Sequence, residues 1–150
     1  MNLIKKIIVA SDGSKTAGKA VTYTADLAKQ TGAAVTVLGV VDITSFVAQA
    51  IPPARAAKIR VSVQDYLRAA AAGYLDEAAA YFRERGVPVK QVIRMGHPVE
   101  EIVREALKAR ADLIVMGSHG RSALRAAVLG SVTYGVIHKD SKVPVLVVRR

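Results

Sequence analysis

Short apolar runs and amphipathic stretches alternate along the 150 residues of the chain. A continuous apolar run such as Ile7–Ala10 is typical of a strand that is buried on both faces of a sheet. Between such runs, apolar residues recur every three or four positions, which is typical of helices that pack one face against a core. The pattern therefore predicts an α/β fold in one domain, with a parallel sheet that carries helices on both faces. The five predicted strands are Ile7–Ala10, Val35–Val41, Val87–Met95, Leu113–Met116 and Val143–Val148.

Residues that favour the ends of helices and strands support this assignment. Ser14 is a favourable N-cap, Gly32 is a typical helix stop, and Pro98 suits a first helical turn. Pro88 lies near the start of the third strand, which indicates an edge position or the beginning of a strand. Thr44–Pro53 is expected to be irregular because prolines interrupt regular structure. The predicted helices are one between Ser14 and Gly32, one from about Arg60 to Arg85, one that begins near Pro98, and one from Ser122 to His138.

Two turns follow the carboxyl ends of the first and fourth predicted strands. One turn spans Ala10–Ser14 and the other spans Met116–Ser122. Ligands of open α/β sheets bind beyond the carboxyl ends of the strands, at the point where the strand order reverses. If these two strands are neighbours, both turns line one crevice.

Glycines recur in and after the second turn, with the spacing Gly117-x2-Gly120-x9-Gly130-Ser131. Glycine allows the backbone to approach a ligand closely and to adopt a positive φ. In the middle of a predicted helix, however, Gly130 would cost about 1 kcal/mol relative to alanine. Two interpretations stay open. Either the helix begins near Ser131 and directs its first N–H groups at an anion such as phosphate, or Gly130 lets the helix pack closely against a strand.

Composition places the chain among folded proteins and excludes several kinds of site. The hydrophobic fraction is 51% and the charged fraction is 23%, as in ordinary globular domains. The absence of cysteine excludes a disulfide scaffold, a thiolate metal site and a cysteine nucleophile. The start of the chain lacks the apolar core of a signal peptide, and no apolar run is long enough to span a bilayer. These features predict a soluble, cytoplasmic protein.

A formal net charge of +10 favours an anionic ligand or partner. Nucleic acid is one candidate, but 5 Tyr, 2 Phe and no Trp disfavour an aromatic surface on which bases could stack. The P-loop and dinucleotide-binding glycine motifs are absent, and the 3 histidines are scattered without the spacing of metal ligands. Nucleic-acid binding is therefore a minority alternative.

Several segments carry a more specific signal in combination. They are Ile8–Ser14, Gly96-x-Pro98-x3-Ile102, Ala111–Gly120, Gly130-Ser131-Val132 and Val143–Val148. Together they resemble the universal stress protein family, in the branch that binds ATP through the pattern Gly-x2-Gly-x9-Gly-Ser/Thr. The resemblance implies one universal stress protein domain over residues 1–150. It also implies a Rossmann-like sheet of the adenine nucleotide alpha hydrolase type, in the order 3-2-1-4-5, which places the first and fourth strands side by side.

The resemblance further implies a site for ATP together with Mg²⁺ or Mn²⁺. Asp12 would contact the ribose side of the nucleotide. The residues themselves leave alternatives open, because Asp12 could instead close an Asx-turn and His119 could lie on the surface. The adenine would be framed by Ala10, the backbone near Val40 and Val41, and Met116, and the ribose and phosphates would be surrounded by Gly117, His119, Gly120, Gly130, Ser131 and Val132.

The last predicted strand, Val143–Val148, would lie at an edge of the sheet. A long apolar edge strand promotes aggregation unless it is paired. A homodimer that pairs this strand across a two-fold axis would cover it, and the resemblance implies the same dimer. The alternative is a monomer in which Arg149 and Arg150 block such pairing.

These expectations combine into a regulatory homodimer that binds ATP and whose conformation a further protein partner reads. The alternative is an enzyme, either a slow ATPase or a protein that phosphorylates itself on Ser or Thr. Phosphoryl transfer needs a positioned base, and the sequence offers only Asp12 and His119 for that role.

Overall fold

Five strands run parallel in one open sheet in a computed structural model of the chain. The structure describes residues 3–42, 53–120, 129–139 and 141–149, and of residues 53–61 only the backbone. The spatial order is the expected one, β3-β2-β1-β4-β5, which confirms the predicted fold. The strands are β1 (Lys6–Ala10), β2 (Ala34–Val41), β3 (Val89–Met95), β4 (Leu113–Gly117) and β5 (Val145–Val148).

Helices cover both faces of this sheet, as predicted. The helices are α1 (Lys15–Thr31), α2 (Pro53–Glu84), α3 (Pro98–Ala109) and α4 (Ser131–His138). The helices α1 and α2 pack on one face, and α3 and α4 pack on the other. Side chains alternate along β1, so Ile7 and Val9 are buried under the first pair of helices and Ile8 is buried under the second pair. The central strands are therefore buried on both faces, which is why they read as continuous apolar runs.

Two helices begin at other residues than the sequence predicts. The helix α2 begins at Pro53 rather than near Arg60. Proline fits the first turn of a helix because a backbone N–H at that position would have no intrahelical acceptor, so its absence breaks no hydrogen bond. The helix α4 begins at Ser131 rather than Ser122, and Gly130 precedes it in an extended conformation, with φ −62° and ψ 151°. The prediction of a helix that passes through Gly130 is therefore wrong. Its segment 121–128, and the predicted irregular segment over 43–52, lie outside the described residues.

Two strands are shorter than predicted. The strand β3 begins at Val89 rather than Val87, and it directly follows Pro88 at an edge of the sheet, as the proline indicates. The strand β5 begins at Val145 rather than Val143. Lys142 adopts a left-handed conformation with φ 62°, and the following proline, Pro144, has no N–H to offer a neighbouring strand.

Candidate functional site

The register of β1 and β4 brings the two predicted turns to the same edge of the sheet. The two strands are hydrogen-bonded neighbours, with Val9 aligned to Val115. Ala10 and Met116 are the next residues, so both turns begin at one level. Strand order also reverses here, because β2 and β3 follow on one side of β1 while β4 and β5 lie on the other. This is the position at which open α/β sheets bind their ligands.

Asp12 links the two turns through its two carboxylate oxygens. Its Oδ1 accepts a hydrogen bond of 2.9 Å from the N–H of Ser14, which closes the Asx-turn that the sequence left open. Its Oδ2 lies beside Gly120, since a Cβ atom built on this glycine would be 2.4 Å from Oδ2. One oxygen thus holds the turn in front of α1, and the other brings negative charge to the glycine-rich turn after β4.

Gly117 and Gly130 of the motif are required by close packing against backbone, and neither these two glycines nor Gly120 is among the described residues with positive φ. A Cβ atom on Gly117 would be 2.7 Å from Cγ2 of Thr16 and 3.0 Å from its carbonyl group. A Cβ atom on Gly130 would be 2.9 Å from Cα of His119. Gly130 therefore permits a close approach to the turn after β4, rather than to a strand.

The start of α4 is anchored on that same turn. The N–H of Gly130 donates to the carbonyl oxygen of Ser118 at 2.8 Å, and the hydroxyl of Thr133 donates to the carbonyl oxygen of Gly117 at 2.9 Å. No side chain caps this helix, because Gly130 occupies the N-cap position. Because Ser131 and Val132 lie in the first turn, their N–H groups have no intrahelical acceptor. These donors and the helix dipole favour an anion at this point.

His119 lies in the interior between the turn after β4 and the first turn of α1. It is 8% exposed, so the alternative of a surface histidine is wrong. Its Nδ1 is 2.9 Å from Oγ of Ser118, and its Nε2 is 3.4 Å from Oγ1 of Thr16. Sequence reasoning missed Thr16 and Ser118. Thr16 lies on the buried side of α1 and Ser118 follows the last residue of β4, and both positions favour burial.

All but one of the apolar residues of the predicted site lie on the same face of the sheet. Met116 is buried beneath α3 and α4, and three other predicted residues pack against the same cluster. Val41 is the exception, because side chains alternate along β2 and its own points to the opposite face from that of Val40. The carbonyl oxygen of Val41 accepts a hydrogen bond of 3.0 Å from the N–H of Gly96. The residues that share the α3 and α4 face are Ala10, Val40, Met116 and Val132.

Within the described residues, no group of three or more His, Asp and Glu side chains is arranged to hold a metal ion. Arg121 and Arg125, which could neutralise phosphate, lie outside the described residues. Among the described helices, none has the length and apolar character needed to cross a membrane.

Comparison with known proteins identifies the family. A sequence model described as the universal stress protein family matches residues 3–149. The chain belongs to the universal stress protein family. It is 36% identical over 149 residues to the universal stress protein MJ0531 of Methanocaldococcus jannaschii, covering 99% of this chain and 84% of that protein. These matches confirm the resemblance noted in the sequence.

Solved structures of other universal stress proteins have the same fold. The structure of protein MJ0577 of Methanocaldococcus jannaschii superimposes with a TM-score of 0.86 at 32% identity, covering 99% of this chain and 97% of that one. The universal stress protein UspA from Lactobacillus plantarum gives a TM-score of 0.85 at 26% identity, with 97% and 98% of the two chains covered. The family and its five-stranded sheet are therefore established for this chain.

Proposed function

We propose that this universal stress protein is a regulatory homodimer that binds ATP between the turns after β1 and β4. The observation that carries the proposal is the start of α4, which is anchored on the glycine-rich turn beside Asp12. A helix N-terminus without a side-chain cap and a nearby carboxylate offer complementary partners to the phosphates and to the ribose hydroxyls of a nucleotide. We also propose that the protein acts in the cytoplasm and that a further protein reads its ligand state.

Each part of the nucleotide has suitable chemistry at this edge. The N–H groups of Ser131 and Val132 donate to phosphate oxygens, and the polar turn from Gly117 to Gly120 encloses the ribose and phosphates. Asp12 accepts hydrogen bonds from the ribose. The adenine packs among Ala10, Val40 and Met116, and the backbone at Val41 borders it.

A divalent cation is proposed to enter the site with the nucleotide. Mg²⁺ in nucleotide sites keeps several waters and is held by one or two carboxylates together with the phosphates. Because Asp12 is assigned to the ribose, Mg²⁺ or Mn²⁺ would be held by the phosphates and water, and we assign it no ligand among the described residues. The cation would neutralise phosphate charge, which the described residues at the site otherwise meet with the backbone dipoles at the start of α4.

The homodimer is proposed to form through β5. This strand pairs only with β4 among the described strands, and its four residues are half-buried and wholly apolar. The other edge strand, β3, is longer but carries Lys90, Gln91 and Arg94, which protect an edge from pairing. The two edge strands thus differ in side-chain polarity, which decides whether an edge strand pairs with another chain. The apolar β5 favours a dimer over a monomer in which only the basic C-terminus prevents pairing.

Two structures with the same fold are complexes with adenine nucleotides. One is a universal stress protein in complex with cAMP, with a TM-score of 0.67 at 24% identity. The other is the universal stress protein from Archaeoglobus fulgidus in complex with dAMP, with a TM-score of 0.69 at 21% identity. At these identities the likeness is one of fold alone, so the proposal stands on the residues of this chain.

The enzymatic alternative is disfavoured by the burial of His119. Its ring nitrogens already face Ser118 and Thr16. A general base must reach the proton that it removes, and this imidazole is engaged within the protein. The other candidate base, Asp12, already accepts a hydrogen bond from the N–H of Ser14 and is assigned to the ribose. We therefore propose binding rather than turnover as the function of the site.

The test is to purify the protein without added nucleotide, denature it and identify the released molecules by chromatography and mass spectrometry. Titration calorimetry with ATP and Mg²⁺ then compares Asp12→Asn with the matched surface variant Asp26→Asn. Asparagine keeps an Oδ1 acceptor for the N–H of Ser14 and removes the charge, so Asp12→Asn should fold and bind ATP about ten-fold more weakly. Asp26→Asn should bind like the wild type. Absence of both co-purified nucleotide and binding by the wild type would overturn the proposal.

A further inference from the structure

A cleft of about 480 Å³ opens at the amino ends of β1, β2 and β3. This is the opposite edge of the sheet from the proposed ATP site. Its volume lies within the range of roughly 300–1,000 Å³ that small-molecule sites occupy. Neither the family resemblance nor the proposed function gives this cleft a role.

The cleft exists because α3 leaves one part of the sheet uncovered. This helix packs across β2 and β1, whereas the residues of β3 are half-buried or exposed. The strand register aligns Ile8, Thr36 and Lys90 in one row across the three strands, and all three line the cleft. The end of α3 forms the wall, with Ala109 and the nearby Ala111.

The charges that line the cleft have one sign. Lys6, Lys90 and Lys108 come from β1, β3 and α3, and no acidic residue is among the described residues that line it. The Nζ of Lys6 donates a hydrogen bond of 3.4 Å to the carbonyl oxygen of Ala109. The nearest acid along the chain, Asp112, accepts hydrogen bonds from the backbone N–H groups of residues 5 and 6.

One feature of the wall opposes an anion. The carboxyl end of a helix carries a partial negative charge equivalent to roughly half an elementary charge. Lys108 in the last turn of α3 and the bond from Lys6 to Ala109 offset this charge. The carboxylate of Asp112 lies beside Lys6 and adds one negative charge at the rim of the cleft. Three lysine charges outweigh this carboxylate and the helix end together, so the potential of the lining stays positive.

We propose that this cleft is a second ligand site, which binds a small organic anion with an apolar body. Ammonium groups are mobile point charges that accept carboxylate, sulfonate or phosphate groups without strict geometry. Ala109 and Ala111, which are half-buried on the α3 face, and the aliphatic stems of the lysines receive the apolar body, whereas Val35 and Val89 offer only backbone because their side chains pack on the opposite face. Both parts are needed, because the exposed lysines alone hold a small inorganic anion weakly.

The probe for this site is phenyl phosphate. Its binding is measured through changes in the backbone amide NMR signals of the uniformly ¹⁵N-labelled full chain. The amides of Thr36, Lys90 and Ala109 should shift with saturation, while those of Gly117 and Gly120 stay in place. Phenol and inorganic phosphate separate the two parts of the ligand, and each should bind at least about five-fold more weakly. Saturating ATP with Mg²⁺ should leave phenyl phosphate binding unchanged, since the two sites lie at opposite edges.

The charge contribution is tested with the double variant Lys90→Gln/Lys108→Gln. It should weaken phenyl phosphate about five- to ten-fold. The matched control Lys15→Gln/Lys19→Gln removes the same charge from the exposed side of α1 and should change binding less than two-fold. Equal weakening by both pairs would overturn the proposal, as would shifts confined to the ATP edge or phenol binding as tightly as phenyl phosphate. Failure here leaves ATP binding untouched, because different amides report the two sites.

Discussion

The Oδ2 atom of Asp12 lies so close to Gly120 that a Cβ atom at position 120 would be 2.4 Å from it. The position of the Asp12 carboxylate, in the turn after β1, therefore requires that residue 120, in the turn after β4, has no side chain. This contact joins two segments that are distant in sequence. It also explains why glycine occupies position 120 although its φ is not positive.

Gly120→Ala should weaken ATP binding about ten-fold and change the free energy of unfolding by less than about 1 kcal/mol. The new methyl group meets only the end of the Asp12 side chain, which can rotate away at little cost to the fold but leaves its place in the site. Calorimetry with ATP and urea denaturation measure the two effects.

Two further glycine variants control this result. Gly18→Ala places its methyl group in open space on α1, so it should leave ATP affinity unchanged and stabilise the protein by about 0.5–1 kcal/mol. Gly117→Ala meets the backbone of Thr16 and should destabilise the protein by about 1–3 kcal/mol. If Gly120→Ala binds ATP like Gly18→Ala, the position of Asp12 does not matter for the nucleotide.

His119→Ala should lower the free energy of unfolding by about 1–3 kcal/mol, because it leaves the buried hydroxyls of Ser118 and Thr16 without their imidazole partner. His119→Asn restores a polar group near the position of Nδ1 and should recover part of the loss. Urea denaturation measures both variants.

The same variants separate binding from turnover. Wild type and His119→Asn should both release less than about one phosphate per chain over several hours with ATP and Mg²⁺, as expected of a site without a positioned base. Many turnovers by the wild type that His119→Asn abolishes would make this histidine catalytic and the protein an enzyme.

Asp112 should make stability depend on pH. The backbone N–H groups of Lys5 and Lys6 donate to its carboxylate at 2.9 and 3.0 Å and hold its pKa below the usual value. A carboxylate with a lowered pKa in the folded state stabilises the protein above its unfolded pKa, and this contribution is lost as the pH falls through the folded pKa.

Asp112→Asn should therefore unfold at a lower urea concentration than the wild type at pH 7, and the difference should shrink below about pH 4. The exposed variant Asp26→Asn removes the same charge without such bonds and should show no comparable difference. A gap between wild type and Asp112→Asn that stays constant down to pH 2 would contradict the role of the charged carboxylate.

Val147→Lys should convert the proposed dimer into a monomer. A charged side chain on an edge strand opposes pairing with a second strand. The matched variant Leu107→Lys introduces the same charge at an exposed position of α3 and should leave the assembly intact. Light scattering after size exclusion reports the mass, and a dimer that survives Val147→Lys would point to another interface.

Local pattern was sufficient for the order of the elements. Apolar runs such as Ile7–Ala10 predicted buried strands, and Ser14 and Gly32 predicted both ends of α1, where the structure has its N-cap bond and its left-handed glycine. These features depend on interactions between residues a few positions apart, which the sequence displays directly. The prediction that places Pro53 in an irregular segment is wrong, because proline disrupts a helix interior but fits a first turn. Local pattern does not distinguish these two positions.

The alternation of strand and helix patterns, and the residues of the two turns that follow β1 and β4, were thus determined by the sequence itself. The pairing of β1 with β4 came from the family resemblance and was then seen in the sheet. Only the tertiary structure decided that His119 is buried, that α4 begins after Gly130 against the turn after β4, and that Asp12 lies against Gly120. Those three features depend on contacts between segments that are far apart in the chain. Such contacts exist only after the sheet has brought the segments together.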